Sequence, residues 1–182
     1  MTSERVSYDT YRPVYPTPAG LITSVDADGR PNIITLGEVF NISIRQPVIC
    51  GVAIRPATYS HGLISAQGDY VINLPTGDML DKVWACGQVS GRDADKFAQT
   101  GLTPLPATHV KPPLIAECPV NIECKVVGIQ TIGDHDLFLG EVRMVHVSPG
   151  ILGPDGKIDP AKMSTVIMAG MGFFDLGKRL DV

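Results

Sequence analysis

Short apolar runs separated by glycine, proline and acidic turns fill most of the chain, and their periods are mostly those of strands. Val120, Ile122, Cys124 and Val126 alternate with Asn121, Glu123 and Lys125, the period-two signature of a half-buried strand. Gly133-Asp134 turns the chain, and Leu137 to Val147 returns as a long partner. Near the start, Ala19 to Val25 and Arg30 to Leu36 flank Asp26-Ala27-Asp28-Gly29, which predicts a hairpin whose turn has a positive φ at Gly29. Val39 to Ile44 and Val48 to Ile54 add two strands around Pro47, and Tyr70-Val71-Ile72 adds another.

Helical spacing is confined to three short stretches. Asp78 to Cys86 has an acidic start and should end at Gly87; Asp93 to Phe97 begins a second helix that stops near Gly101. A third follows Ser60 as N-cap, with Leu63, Ile64 and Ala66 apolar, and is broken by Gly68. Leu102 to Pro113, with four prolines, is a surface connector. About seven strands with a few short helices between them favour a mainly β, largely antiparallel barrel over an alternating βαβ sheet. No linker divides the chain, so residues 1–182 are expected to form a single domain. Residues 1–18 form an extended arm rich in proline and tyrosine, and residues 168–182 a tail with Phe173 and Phe174 among glycines.

Charge narrows the range of partners. A formal net charge of -4 provides no electrostatic footprint for nucleic acid or for an anionic membrane surface. No apolar run approaches the ~20 residues of a membrane helix, and no signal-like segment opens the chain. Cys50, Cys86, Cys118 and Cys124 form no C-x-x-C pair, which predicts reduced thiols and a cytoplasmic location. His61, His109, His135 and His146 are not at metal-binding spacing, so no metal is expected.

The stretch Ile54 to Pro75 is the most suggestive for binding. A buried strand empties into Arg55-Pro56 and then Thr58-Tyr59-Ser60 before a helix start, an arrangement that offers a guanidinium fork, hydroxyls and free backbone N–H groups to an anion. These residues suit a phosphate corner and equally an ordinary strand-to-helix turn carrying a surface arginine.

Several separated phrases add to this: Tyr15-Pro16, Asp28-Gly29-Arg30-Pro31-Asn32, Ile54-Arg55-Pro56 with Tyr59-Ser60, and Tyr70-Val71-Ile72-Asn73-Leu74-Pro75. Further on come Cys86 to Arg92 with Asp95-Lys96-Phe97, Asn121 to Cys124, and Gly133-Asp134-His135-Asp136. In this order and spacing the chain resembles the flavin reductase-like family of FMN-binding split barrels, flavoredoxin branch. The resemblance implies a homodimer with FMN in a cleft near the dimer interface. Arg55, Tyr59 and Ser60 would hold the phosphate; Asn32, Thr35 and Asn73 would lie along the ribityl chain or ring; Lys96 would bring a cation to the flavin. His135 and Phe173 or Phe174 would close the site, and Cys86, Gly87, Ser90 and Gly91 would shape its rim. Relatives often carry a pair of aromatics where this chain has Gly37-Glu38-Val39-Phe40, leaving Phe40 as the ring there.

The function implied is an NAD(P)H-dependent flavin reductase, with hydride passing from NADH or NADPH to flavin N5 and electrons passing onward to an acceptor. No protein acid or base is required, though Lys96 and His135 could tune the flavin. The competing reading is a non-enzymatic FMN electron carrier of the flavoredoxin type reduced by a partner protein. A storage or binding module for a planar cofactor is a third.

Overall fold

The computed structural model describes residues 5, 7, 13–170 and 172–177. Most of the expected arm up to Arg12, together with Met171 and residues 178–182 of the tail, lies outside them.

In chain order the elements begin with β1 (Thr17–Pro18), β2 (Gly20–Val25), β3 (Pro31–Leu36), β4 (Val39–Ser43), β5 (Ile49–Ile54), α1 (Tyr59–Gln67) and β6 (Asp69–Leu74). There follow α2 (Leu80–Gln88), α3 (Lys96–Thr100), β7 (Pro104–Leu105), β8 (Leu114–Ile115), β9 (Val120–Ile132), β10 (His135–Val147), β11 (Val166–Ala169) and β12 (Gly172–Asp175). A seven-stranded sheet in the order β3-β2-β6-β9-β10-β5-β4, antiparallel at every pairing, curls into a half-barrel. β1, β11 and β12 form a small second sheet.

The mainly antiparallel β architecture is therefore as the periodicity predicts. Every residue of β2 is buried because both faces of that strand are covered. Leu21 joins Ile33, Val83, Cys86 and Phe97 in a core between sheet and helices; Ile22 joins Val52, Tyr70, Ile72 and Phe138 inside the barrel. The glycine of the first hairpin has φ 82, as its turn requires.

Local details differ from the sequence expectations for identifiable reasons. Thr58, not Ser60, caps α1, its side chain accepting from His61 N–H, so Ser60 lies inside the first turn. The helix expected at Asp78 opens as a 3-10 turn at Gly77–Met79 and continues as α2 through Gly87 to Gln88, since a single glycine lowers helix stability without forbidding it. The tail forms the hairpin β11–β12, turning at Gly170 with φ 60. All four cysteines are buried and unpaired. Among the described residues, no helix is long and apolar enough to cross a membrane.

Candidate functional site

β5 ends at Ile54, and after a short loop α1 begins at Tyr59, so Thr58, Tyr59 and Ser60 are presented at the end of the barrel next to β3. The loop after α2 approaches from the other side. Between them lies a recess of about 310 Å³ lined by Thr58, Tyr59, Ser60, Gln88, Ser90, Gly91, Arg92 and Lys96, with Ile34, Ala57, Cys86, Gly87 and Val89 as the less polar walls. Hydroxyls, a guanidinium and an ammonium line it, and no carboxylate does. A second recess of about 600 Å³ shares Tyr59, Gly91 and Arg92 and continues toward Asp26, Arg30, Asp93 and Asp95. A larger recess of about 850 Å³ lies at the tail beside Asp159 and Asp175, whose carboxylates make it the poorer match for an anion.

The donor-lined recess is held open by buried polar links. Asn32 Nδ2 donates to Ser60 Oγ at 2.7 Å and more weakly to Ser24 Oγ at 3.4 Å. Asn32 is only 5% exposed. Gly91 lies so close that a Cβ there would collide with Asn32 Oδ1 and stand 2.9 Å from the Tyr59 ring. Arg92 lies over that ring, its Cζ 5.2 Å from the centroid, and its Nη1 reaches the Ala57 carbonyl at 3.5 Å. This is a cation–π arrangement that holds the guanidinium beside the recess.

Lys96, the first residue of α3, is buried, with 5% of its surface exposed. Its Nζ donates to the carbonyls of Ile33 and Cys86, both at 2.7 Å, and burial holds its pKa below the ordinary lysine value. An ammonium has three donors, so one remains for the recess that Lys96 lines. Burial pushes the Cys86 thiol up despite Lys96 nearby, so this sulfur remains a thiol that shapes the wall.

The other residues named from the sequence lie elsewhere. Arg55 is exposed and lines neither recess; its Nε lies 3.8 Å from Asp134 Oδ2, at the β9–β10 turn. His135 stands at the same turn but is half-buried, its Nδ1 2.8 Å from Asp134 Oδ1. Asn73 is fully buried: it donates to the Leu21 carbonyl at 2.9 Å and accepts from Ile115 N–H and Asn121 Nδ2 at 3.0 and 2.8 Å. Its amide holds strands together and leaves no group for a ligand. Thr35 donates to the Val83 carbonyl at 2.6 Å, tying β3 to α2 beneath Gly87. Phe173 packs edge-on against Trp84 at 6.1 Å and against the helix-side core. Phe174 is exposed beside it, and Phe40 leans over Gly51 and lines a separate recess of about 300 Å³ with Tyr15, Gly37 and Met168.

Sequence reasoning assigns no role to His61 or Arg92. His61 Nε2 lies 2.7 Å from Asp136 Oδ2, anchoring the first turn of α1 to β10, and this hydrogen bond lowers the Asp136 pKa. Its partner is 75 residues away, which no local signal could reveal.

Comparison with known proteins agrees with this architecture. Residues 11–161 match the flavin reductase like domain, and the chain belongs to that family. The structure superposes on flavoredoxin of Desulfovibrio vulgaris (Miyazaki F) with a TM-score of 0.91 and 32% identity, covering 98% of this chain and 97% of the other. Flavoredoxin from Methanosarcina acetivorans gives 0.89 and 26%, covering 99% and 95%. An uncharacterized protein of Archaeoglobus fulgidus is 39% identical over 87% of this chain and 86% of its own length.

Proposed function

We propose that the chain binds FMN and acts as an NAD(P)H-dependent flavin oxidoreductase. The observation that carries this reading is the recess between α1 and the loop after α2, where Tyr59, Ser60, Ser90, Arg92 and Lys96 converge without a carboxylate. That donor set fits a phosphate monoester, and the less polar walls of Ile34, Ala57, Cys86 and Val89 fit the carbon chain behind it. A recess of about 310 Å³ is at the small end of ligand pockets and leaves room for a phosphate and polyol, not also for a tricyclic ring. The ring would thus lie at the mouth, accessible to a second planar reactant.

When bound, FMN supplies a hydride acceptor at N5. The chain's own part is to fix the phosphate, exclude water from the buried walls, and place the Lys96 charge where it favours added electron density. Among the described residues that line the recess, burial keeps Cys86 as a thiol, and His135 is not in the lining but pairs with Asp134 at the β9–β10 turn. Exposed apolar residues along the edge strand β4 and on α2 suit a homodimer whose second chain covers the ring.

The similarity to two flavoredoxins favours one other reading, an electron carrier reduced by a partner protein. The visible spectrum of the FMN-loaded protein, followed without air while NADH or NADPH is added, separates the two. Bleaching by either nicotinamide with turnover supports the reductase; a yellow protein inert to both supports the carrier; failure to take up FMN removes both.

A further inference from the structure

The chain has two arginines near the barrel end, and their surroundings differ in a way that assigns them different work. Arg55 is 65% exposed along its side chain and stands opposite Asp134, a carboxylate that also accepts from His135. Its charge is thus opposed by a neighbour and turned from the recess. Arg92 lines the recess and is stacked on Tyr59, and its guanidinium has only a carbonyl at 3.5 Å as its other partner among the described residues, while its backbone N–H donates to Ser90 Oγ at 3.2 Å. In the smaller recess the guanidinium stands beside hydroxyl donors and a buried ammonium with no carboxylate in the lining. Asp26, Asp93 and Asp95 border the neighbouring recess that Arg92 also lines, and none of them is ion-paired to it among the described residues, so a counter-charge is still lacking on the donor-lined side.

The Asn32–Ser60 link points the same way. Ser60 Oγ accepts from Asn32 Nδ2, so the hydroxyl hydrogen of Ser60 is left to donate elsewhere, and Ser60 is a wall of the recess. The Asn32 carbonyl oxygen faces Gly91 and is buried without a hydrogen-bond partner among the described residues, so the amide holds Ser60 through its NH₂ alone.

Resting on the flavin reading, we propose that Arg92, and not Arg55, is the cation that recognises the phosphate monoester. Asn32 is the positioning residue that makes Ser60 a donor to the same group. Gly91 belongs to this arrangement because any side chain there would push the loop carrying Arg92 away from Tyr59 and Asn32.

The test is titration of FMN and riboflavin, two ligands differing only in the phosphate, into the full-length protein and its Arg92→Gln, Arg55→Gln, Gly91→Ala and Asn32→Ala variants. Arg92→Gln is expected to weaken FMN by about tenfold or more, since a charge-assisted hydrogen bond is lost, and to change riboflavin by less than about threefold. Gly91→Ala should reproduce this selectivity without removing a charge, and Asn32→Ala should reduce the preference for FMN in the same direction. A merely structural role for these residues would weaken both flavins alike. Arg55→Gln should leave the FMN-to-riboflavin ratio as in the parent. The inference is overturned if Arg92→Gln leaves that ratio unchanged, if Arg55→Gln lowers it as much, or if the parent does not prefer FMN. A parent that binds neither flavin instead overturns the reading on which the inference rests.

Discussion

The ammonium of Lys96 lies 2.7 Å from the carbonyl of Cys86 and the same distance from that of Ile33, joining the start of α3 to the end of α2 and the middle of β3. This cation does structural work whether or not a flavin is near. Lys96→Met keeps the stem but leaves two buried carbonyls without their donor, a loss of ~2–4 kcal/mol. The melting temperature is therefore expected to fall by roughly 5–10 °C in a chain of this size, read by calorimetry or circular dichroism. With FMN bound, the same variant should be harder to reduce in an anaerobic dye titration, because the third donor no longer favours the reduced form. An unchanged melting temperature would count against the staple, and an unchanged potential against any contact with the ring.

Much of the fold was legible because it is written locally. The β2–β3 hairpin announces itself by its turn, and the long β9–β10 pair by alternation, even though β9 runs further than its alternating part. The tail hairpin escaped because Gly170 and Gly172 sit among residues that also suit a loose closing segment. At the site, Tyr59 and Ser60 could be named because strand, loop and helix start follow one another in sequence, whereas Asn32 and Lys96 are implied only by the family resemblance. Arg55 stands out because it follows a buried strand and precedes the hydroxyl cluster, whereas Arg92 ends the polar loop Gln88 to Arg92 and carries no such local signal. That Arg92 and not Arg55 lines the recess depends on contacts distant in sequence, among them Asp134 beside Arg55. Asn73 is expected at the flavin only from the family resemblance. Its opposite neighbour in the register is Asn121, and only that pairing shows the amide to be satisfied inside.

Glu123 provides a pH-dependent prediction. It is fully buried and accepts from Thr108 N–H and His109 N–H, while His146 Nε2 lies 2.6 Å from its Oε1. Burial alone would raise its pKa, but these hydrogen bonds outweigh it and hold the carboxyl below the usual glutamate range. A depressed folded value means that the stabilisation is complete above the unfolded value, about 4.3, and is lost as pH falls through the lower folded value. Glu123→Gln should therefore destabilise the protein near neutrality by on the order of 2 kcal/mol and flatten the acid limb of its denaturation profile. An acid limb identical to the parent's would rule out Glu123 as the titrating group.

Gly140 marks a point where the barrel interior has no spare room. A Cβ there would overlap Tyr70 Oη and stand 2.6 Å from Tyr70 Cζ and 2.8 Å from Cys124 Cβ. Both neighbours are fully buried, so neither can swing away. Gly140→Ala is expected to destabilise by ~2–3 kcal/mol through overpacking, measured by urea unfolding. Adding Tyr70→Leu should recover part of the loss, because the smaller side chain vacates the space the new methyl needs, so the two changes should be non-additive. Simple additivity would show that the strain lies in the backbone and not in the Tyr70 contact.

Phe40 and Ile42 both lie over Gly51 on the outer face of the edge strand β4, and Ile44 follows at the strand's end with 80% of its surface exposed. An edge strand that ends a sheet and carries large apolar side chains invites pairing, since monomers usually blunt such edges with charge or proline. Trp84 on α2, packed edge-on against Phe173, is 56% exposed and adds a second apolar area. If these surfaces meet a second copy, sedimentation should give twice the 19.5 kDa chain mass at micromolar concentration. Ile42→Lys and Ile44→Lys together should then shift the species toward monomer, because two ammonium groups would have to be desolvated in the interface. If the dimer also covers the flavin ring, those variants should weaken FMN binding only as they dissociate, and raising the protein concentration should restore it. A monomer at all concentrations for the unaltered chain would overturn the dimer and leave the donor-lined recess, formed within one chain, as the complete phosphate site.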